Sequence, residues 1–470
     1  MTETVERTDA ETKLPPQVRN ALLALIVGGI AAILDLTMVT LALHTLVVRL
    51  HSSDGTIQWV TTGYLLAMAV AIPTTGWAER RWGGKHVWMA ALVLFVAGSV
   101  LCALAWSDTS LIGFRVLQGF AAGLIFPLMQ TLGVRAAGGR ASPNLIATVS
   151  LPLALGPILG PVIGGVILNW LSWRWLFLVN VPVIAVGLVL AWRLLPADRP
   201  GSGAARARLD VIGLVLLAPA LAGTLLGLSN LAQDGGIDQT GVLFPLAAGV
   251  ALLVAFCAWA LAPGDRQPIV DVRLLRLRSL GTASTVLFTA GAAIYAAMFL
   301  LPLYYQQLRG ETVLQAGLLL IPQGVGSLIA RFVVGKLVAR LGARLVTIAS
   351  FLLAAAATVP FAGPRTSVWL LGAALLIRGF GIGTVLVPPL SVAYQDVPLA
   401  GIPHATMNTR ITQQVGASFG TAIAAVALQS LLPHGATSAF QGAFWWATGI
   451  TAAALIPALA LPAGRTAEEN

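Results

Sequence analysis

Charged residues and cysteines are scarce in this sequence. Only 10% of its 470 residues are Asp, Glu, Lys or Arg, whereas soluble domains carry about a quarter, so an ordinary water-soluble fold is excluded. The two cysteines, Cys102 and Cys257, lie in apolar runs and have no Cys or His neighbours at ligand spacing. We therefore expect both to be small core residues, and we expect no metal ion or other cofactor.

Several catalytic motifs are also missing. The chain has no His-Glu-x-x-His pair and no Gly-rich phosphate loop, so neither metalloprotease chemistry nor ATP-driven transport is supported. Intramembrane proteolysis by aspartates needs two carboxylates in the membrane, and only Asp35 is placed well inside an apolar run. We expect that the protein is not an enzyme; an intramembrane enzyme is the alternative from another class.

Long apolar runs dominate what is present. Hydrophobic residues make up 57% of the chain, the mean hydropathy is +0.86, and a spanning helix needs about 20 apolar residues. The sequence therefore predicts an all-α polytopic membrane protein whose even number of spans leaves both termini on one side. The fourteen predicted spans cover residues 20–43, 57–78, 86–106, 110–131, 144–168, 174–195, 209–231, 241–262, 280–305, 314–335, 344–363, 367–390, 406–431 and 440–461.

The basic residues are distributed unevenly between the two sides of these spans. Of the 28 Lys and Arg residues, 20 lie on the side of the N-terminus, four on the opposite side and four within spans. Cytoplasmic loops carry such an excess, so both termini are predicted to be cytoplasmic, in a multi-pass protein of the cytoplasmic membrane. The net charge of +10 then reflects topology; we expect a lipid bilayer as partner, no nucleic acid, and a monomer.

Two glycine-containing patterns recur along the chain. The pattern at 76–85 returns at 335–344, and the one at 119–123 returns at 379–383, with offsets of 259 and 260. This predicts two six-helix bundles of common design, separated by two extra spans. The predicted parts are a cytoplasmic tail 1–19, a first bundle 20–195, a two-helix insertion with basic cytoplasmic hinges 196–278, a second bundle 279–461 and a cytoplasmic tail 462–470.

Asp35 is the only one of the 18 acidic residues that we place deep in a span. An intramembrane carboxylate is costly and by default indicates function. Burial favours the neutral form of a carboxyl group and a nearby cation favours the charged form, so a movable partner would let Asp35 bind and release a proton. Arg115 is the natural partner. The alternatives are a permanent structural ion pair for Asp35 and an arginine that reaches to the membrane surface for Arg115.

Glycine and proline alternate in the apolar run 156–165. Gly156, Gly160 and Gly164 fall four apart and so share one helix face, which lets a neighbouring backbone come close. Pro157 and Pro161 each remove an amide donor, which lipid-exposed helices seldom tolerate. A tightly packed helix pair is the plain interpretation of this run.

A charged turn joins the second and third spans. It contains Glu79, Arg80, Gly83 and Lys85, and its glycines permit a tight turn in a wet loop. A purely topological loop is the alternative to a role in conformational change.

Together these segments resemble the major facilitator superfamily, and within it the fourteen-helix drug:proton antiporters typified by EmrB and QacA. The run 156–165 resembles the antiporter motif of the fifth helix, 34–43 the first-helix motif, 115–119 the fourth-helix motif and 76–85 the signature loop. The segments 173–182, 302–306 and 414–420 also resemble parts of this subgroup.

The sequence departs from the subgroup's pattern at four positions. Thr40 and His44 stand where Asn and Pro are usual, Glu79 replaces an Asp, and Gly84 replaces a basic residue. The resemblance implies that Asp35 and Arg115 serve proton transfer. It also implies that the loop joins the two bundles on the inner side through its acid and a helix N-terminus.

The resemblance implies a proton-coupled exporter of amphipathic organic compounds such as drugs, dyes or antibiotics, working by alternating access. A dedicated exporter of one endogenous metabolite or lipid-like compound is the alternative, and a passive channel or sensor is another. Arg331, Arg378 and Arg410 are expected near helix ends. The substrate-binding candidates combine aromatic and hydrogen-bonding groups midway along spans: Tyr64, Phe126, Gln130, Tyr295, Phe299, Gln323, Asn408 and Gln413.

Overall fold

The chain is helical almost throughout the residues that the computed structural model describes, which are 15–138, 143–149, 151–196, 210–234, 239–262, 268–363, 366–398 and 401–462. Helices suit such apolar segments because they satisfy their own backbone polar groups. The helices before residue 200 are α1 (Pro16–Leu50), α2 (Asp54–Ala71), α3 (Thr74–Trp82), α4 (Gly84–Ala103), α5 (Asp108–Ala136), α6 (Pro143–Val149), α7 (Leu151–Trp170), α8 (Trp175–Leu178) and α9 (Asn180–Leu194).

Ten α-helices follow in the rest of the described chain. They are α10 (Val211–Asp234), α11 (Thr240–Leu261), α12 (Arg278–Leu303), α13 (Val313–Leu319), α14 (Ile321–Thr358), α15 (Val368–Val385), α16 (Val387–Ala393), α17 (Ile402–Leu431), α18 (Ala436–Ala453) and α19 (Leu455–Ala460).

Eleven helical stretches among the described residues are long and apolar enough to cross a membrane, and Trp59–Ala71 is a shorter apolar helix. One of the eleven, Gln315–Ala362, has 48 residues and is interrupted at Gly342 inside α14. A bilayer core takes about 20 helical residues, so this stretch is long enough for two crossings. The predicted all-helical, multi-pass membrane protein is confirmed.

The sequence repeat has a counterpart in the backbone. Gly83, between α3 and α4, has φ 85° and ψ 146°, and Gly342 has φ 80° and ψ 158°. The two glycines are 259 positions apart, and both lie in the left-handed region that a residue with a Cβ rarely adopts. The same sharp turn therefore joins two helices at the same place in each copy.

Close helix crossings are repeated as well. A Cβ at Gly119 of α5 would lie 2.8 Å from Cα of Tyr64 in α2, and a Cβ at Gly379 of α15 would lie 2.8 Å from Cα of Gln323 in α14. Both contact partners, like both glycines, are related by the offset of the repeat. The glycines allow the two pairs of helices to touch through their backbones.

The helices pack mainly with others from the same half of the chain. In the first half, α1 packs on α5, α7 and α9, while α5 also packs on α2 and α4. In the second half, α12 packs on α17 and α18, and α14 packs on α15. Contacts between α5 and α17, and between α14 and both α6 and α7, join the halves.

Helices α10 and α11 pair with each other, and α10 lies against both halves because it contacts α2 on one side and α17 on the other. Their apolar cluster joins Leu217 and Leu221 of α10 and Phe256 of α11 to Ala69 of α2 and Met407 of α17. The two predicted extra spans thus cover the seam between the halves.

Parts of the predicted tails and hinges lie outside the described residues. These are residues 1–14 and 463–470 of the tails, residues 197–209 and 263–267 of the basic hinges, and residues 235–238 of the loop between α10 and α11. The domain boundaries remain predictions.

Candidate functional site

Asp35 lies in the middle of α1 with no exposed surface. Its Oδ2 is 2.5 Å from Nη1 of Arg115. Its Oδ1 accepts hydrogen bonds from Nε2 of Gln118 at 3.0 Å and Nδ2 of Asn180 at 2.8 Å. A buried charge is tolerated when it is paired and its remaining lone pairs are satisfied, and this arrangement supplies a cation and two amide donors to the carboxyl group.

Arg115 is fixed from several directions. Its Nε donates to the carbonyl of Val60 at 3.1 Å, and its Nη1 also donates to Oε1 of Gln118 at 2.8 Å. The guanidinium lies 4.0 Å from the centre of the Tyr64 ring, a cation–π distance. The side chain is fully buried, so it does not reach the membrane surface.

The polar cluster extends beyond the ion pair. Gln118 donates to Oγ of Ser99 at 2.8 Å, Asn180 lies 3.4 Å from the same oxygen, and Cys102 contacts Oε1 of Gln118 at 3.6 Å. The sequence pattern did not indicate Gln118, Asn180 and Ser99 as partners of Asp35. Gln118 follows Arg115 by three residues on one helix face, and that spacing was the available signal.

The glycine run of α7 packs on the segment of α1 that carries Asp35. A Cβ at Gly156 would meet the Ile33 side chain, one at Gly160 would meet Thr37, and one at Gly164 would lie 3.3 Å from Cα of Met38. The hydroxyl of Thr37 also donates to the carbonyl of Gly156 at 3.2 Å.

The three glycines therefore face one neighbouring helix. The side chains of Pro157 and Pro161 lie outside the described part of the chain.

The charged turn makes contacts within the first half. Oε1 of the buried Glu79 is 2.7 Å from Nη1 of Arg135, at the end of α5. Nζ of Lys85 donates to the carbonyls of Trp192 and Leu195 at the end of α9, at 2.8 and 2.6 Å. These bonds tie the turn to the ends of two neighbouring helices.

Other contacts of the same region cross to the second half. Nη1 of Arg80 lies 2.9 Å from Nε2 of His404 in α17. A Cβ at Gly76 would meet the side chains of Met407 and Pro403. Because both contacts reach the first turns of α17, the two halves touch at this end of the molecule.

A cavity lies between the halves, and we call its two parts the central and the side cavity. The central cavity has a volume of about 150 Å³ and is lined by residues of both halves, including Thr37, Met68, Phe126, Tyr295, Gln323, Arg331, Arg410 and Gln413. The side cavity, of about 400 Å³, is lined by residues that include Thr37, Thr40, Thr61, Leu225, Leu228, Tyr295, Phe299 and Thr421. The two parts share a wall at Leu36, Thr37, Met68, Tyr295, Met298 and Gln414.

Five of the eight predicted substrate-binding residues line these cavities: Phe126, Tyr295, Phe299, Gln323 and Gln413. The other three lie elsewhere. The Tyr64 ring packs under Arg115. Oε1 of Gln130 accepts a bond from Nε of Arg410 at 3.0 Å. Nδ2 of Asn408 donates to the carbonyl of Asp271 at 2.9 Å.

The sequence predicted that Arg331, Arg378 and Arg410 lie near helix ends. The structure instead places all three inside helices. Arg331 and Arg410 lie well inside α14 and α17 and line the central cavity. Arg378 lies in the middle of α15, where it donates to Oε1 of Gln323 at 2.8 Å and to Oγ1 of Thr358 at 3.3 Å. The structure thus places three cations in the interior of this half.

The Major Facilitator Superfamily profile matches residues 25–421 of the chain. The Multidrug resistance protein B homolog of Mycobacterium tuberculosis is 36% identical, with the match covering 87% of this chain and 76% of that protein. The Putative multidrug resistance protein MdtD of Serratia proteamaculans is 29% identical, covering 85% of this chain and 83% of the relative.

Two solved structures have the same fold. The human organic anion transporter MFSD10 superposes with a TM-score of 0.66 at 16% identity, covering 96% of this chain and all of that chain. The proton:xylose symporter XylE superposes with a TM-score of 0.65 at 15% identity, covering 93% and 94%. At these identities the likeness speaks for the fold alone.

Proposed function

Because the chain belongs to the major facilitator superfamily, and is therefore a membrane transporter and not an enzyme, we propose that it exports amphipathic organic compounds across the cytoplasmic membrane in exchange for protons. Relatives that carry the name of multidrug resistance proteins support this cargo class. The observation that carries the proposal is the buried Asp35–Arg115 pair. Asp35 is followed directly in sequence by Leu36 and Thr37, which line the cavity.

We infer fourteen spans: two six-helix bundles and the pair α10–α11, with both termini in the cytoplasm. The repeated turn at Gly83 and Gly342 supports two bundles of common design. The concentration of 20 basic residues on one side supports the orientation.

In this orientation the contact between Arg80 and His404 lies on the cytoplasmic side and closes it. The side cavity includes Thr40, Thr61 and Leu228, which lie toward the outer ends of their helices in the proposed topology. The conformation is then one in which the cargo site faces outward.

Proton exchange follows from how Asp35 is held. In this state the carboxyl group of Asp35 is bound to Arg115. A proton that reaches the carboxylate from outside cancels the attraction, because the neutral acid no longer needs the cation. Arg115 is then released, and the packing of α1 on the glycine face of α7 lets the change reach the rest of the first bundle.

The energy available is sufficient for export. One proton that enters down a potential of 100 mV supplies about 2.3 kcal/mol, which corresponds to more than a tenfold accumulation of a neutral cargo.

The test compares Asp35→Asn with wild type and with Asp396→Asn, an exposed aspartate that serves as a matched control. Inverted membrane vesicles receive the same pH gradient, and the transport of a panel of amphipathic dyes is followed together with proton release. We expect the Asp35 variant to bind dye but to lose gradient-driven transport, while the Asp396 variant keeps it. If Asp35→Asn transports as fast as wild type, the pair is a structural ion pair and the coupling proposal fails.

A further inference from the structure

The central cavity contains positive charge that no described residue of the cavity wall neutralises. Arg331 is only 7% exposed, lines the cavity, and its Nε and Nη1 have no hydrogen-bond partner among the described residues. Arg410 lines the same cavity, and its bonds go to the neutral oxygens of Gln130 and Gln413 at 3.0 and 3.3 Å.

No carboxylate lines either part of the cavity in the described chain. A buried cation without a counter-ion is unfavourable, and a bound anion removes that cost. The guanidinium group matches the geometry of carboxylate, phosphate and sulfonate oxygens, to which it donates two parallel bonds.

We propose that the cargo is an amphipathic organic anion whose acidic group binds between Arg331 and Arg410. This proposal specifies the cargo of the proposed export function and depends on that function for the direction of transport. The binding site itself is inferred from the geometry of the cavity.

The rest of the cavity fits such a ligand. Gln323, Ser327 and Arg331 follow one another at four-residue spacing on one face of α14 and all three line the cavity, so they offer polar groups along one wall. Many of the other lining residues are apolar: Ile33, Met68, Phe126, Ile294, Met298 and Leu386. An acidic head and an apolar body therefore each find a matching surface.

The two halves of the repeat differ in the way their interior cations are balanced. In the first half the carboxylate of Asp35 neutralises Arg115. In the second half Arg378, at the position that corresponds to Gln118, donates to Gln323, Thr358 and the carbonyl of Ala293, which are all neutral acceptors. Arg378 does not line the cavity, but Arg331 and Arg410 of the same half do, and no described carboxylate pairs with any of the three. The charge that the second half presents to the shared cavity through Arg331 and Arg410 therefore favours anions over cations.

The experiment uses two probes with the same apolar body and opposite charge, 4-(1-pyrene)butyrate and 4-(1-pyrene)butyl-trimethylammonium. Binding to the full-length protein in zwitterionic detergent, without a pH gradient, is measured by energy transfer from tryptophan to pyrene. We expect the wild type to bind the anion at least tenfold more tightly than the cation. Arg331→Gln should lower anion affinity at least tenfold, and Arg331→Lys should lower it less, since the charge remains.

Arg340→Gln, an exposed arginine on the same helix α14, is the control and should bind both probes as wild type does. The wild-type comparison needs no variant, so the proposal stays testable if Arg331→Gln does not fold. Equal binding of both probes, tighter binding of the cation, or unchanged anion binding by a folded Arg331→Gln variant would overturn the anion site.

Two further arms separate this proposal from the export function. If anion binding depends on Arg331 but vesicles show no proton exchange, the site stands and the proton-coupled export fails. If the cationic probe is transported under a pH gradient and the anionic one is not, export stands and the anion site fails. Addition of an anionic phospholipid then tells whether a lipid headgroup competes for the same site.

Discussion

Arg115 and Asp35 meet at 2.5 Å between Nη1 and Oδ2, and both side chains are completely buried. Each charge is tolerated only because the other is present. The two residues come from helices α1 and α5 and are 80 positions apart in sequence. A change at either one therefore leaves an uncompensated charge in the interior of the first half.

We predict that Arg115→Gln destabilises the protein by about 3–5 kcal/mol, the range seen when one partner of a buried ion pair is removed. The double variant Asp35→Asn/Arg115→Gln should recover a large part of this loss, because neither charge is left alone. Unfolding in mixed detergent micelles, followed by tryptophan fluorescence, measures both. Additive losses from the two single substitutions would show that the residues do not interact as the geometry indicates.

Backbone contact at the glycine crossings gives a second prediction. Gly119→Ala and Gly379→Ala should each cost about 1–3 kcal/mol, because the new methyl group would lie 2.8 Å from a Cα of the neighbouring helix. Gly113 and Gly372 lie on the same two helices with nothing within 4 Å of a built Cβ. Alanine at these control positions should be neutral or stabilising, and thermal unfolding in detergent compares all four. Equal effects at the four positions would contradict the close crossing.

The sequence predicted the charged pair because charges are rare in spans, so Asp35 and Arg115 stood out against their surroundings. It did not identify Gln118 and Asn180, because an uncharged amide costs less than a charge inside a membrane helix and so does not by itself indicate a functional site. The pairing became visible only when α1, α5 and α9 were packed together.

Cavity residues were harder to predict for a different reason. The spans are apolar on all sides, so the sequence does not distinguish a lipid-facing side from a buried one. Phe126 and Tyr64 are both aromatic residues midway along spans, yet one lines the cavity and the other lies under Arg115. The rotation of each helix depends on contacts between distant residues, such as that between Gly119 and Tyr64.

The prediction that the arginines of the second half lie near helix ends was wrong. It followed the general pattern that cations in membrane proteins lie near helix ends, where the side chain reaches water. Arg331 and Arg410 instead border a cavity between two halves. A cavity formed by several helices leaves no trace in any one of them.

The contact of Arg80 with His404 lies beside a closer approach of the two halves, between Gly76 and Pro403. In a variant without Cys102 and Cys257, the pair Gly76→Cys/Pro403→Cys should form a disulfide under oxidation, because a Cβ at Gly76 would lie 3.6 Å from Cβ of Pro403, within the range that disulfides require. The bond should stop transport, and a reducing agent should restore it, if this end of the molecule has to open. Each single cysteine variant is the control. Full transport by the oxidised double variant would show that these segments do not separate during the cycle.

An anionic cargo makes transport sensitive to voltage. Exchange of one monovalent anion for one proton moves two positive charges inward, so a potential of 100 mV that is negative inside contributes about 4.6 kcal/mol. Proteoliposomes loaded with pyrenebutyrate should therefore lose it faster when valinomycin and a potassium gradient impose this potential. With the neutral analogue 4-(1-pyrene)butanol only the proton carries charge, so the same potential should contribute about 2.3 kcal/mol and the efflux should accelerate less. An identical response of the two probes would argue against export of the charged form.

Around Leu217, Leu221 and Phe256, helices α10 and α11 contact the two halves through apolar side chains. Hydrocarbon tails of lipids are as apolar as leucine, so surfaces parted at this place are simply covered by lipid at little cost. We therefore expect this apolar contact to offer little resistance when the two halves move relative to each other, so that the charged groups set most of the free energy of the transport cycle.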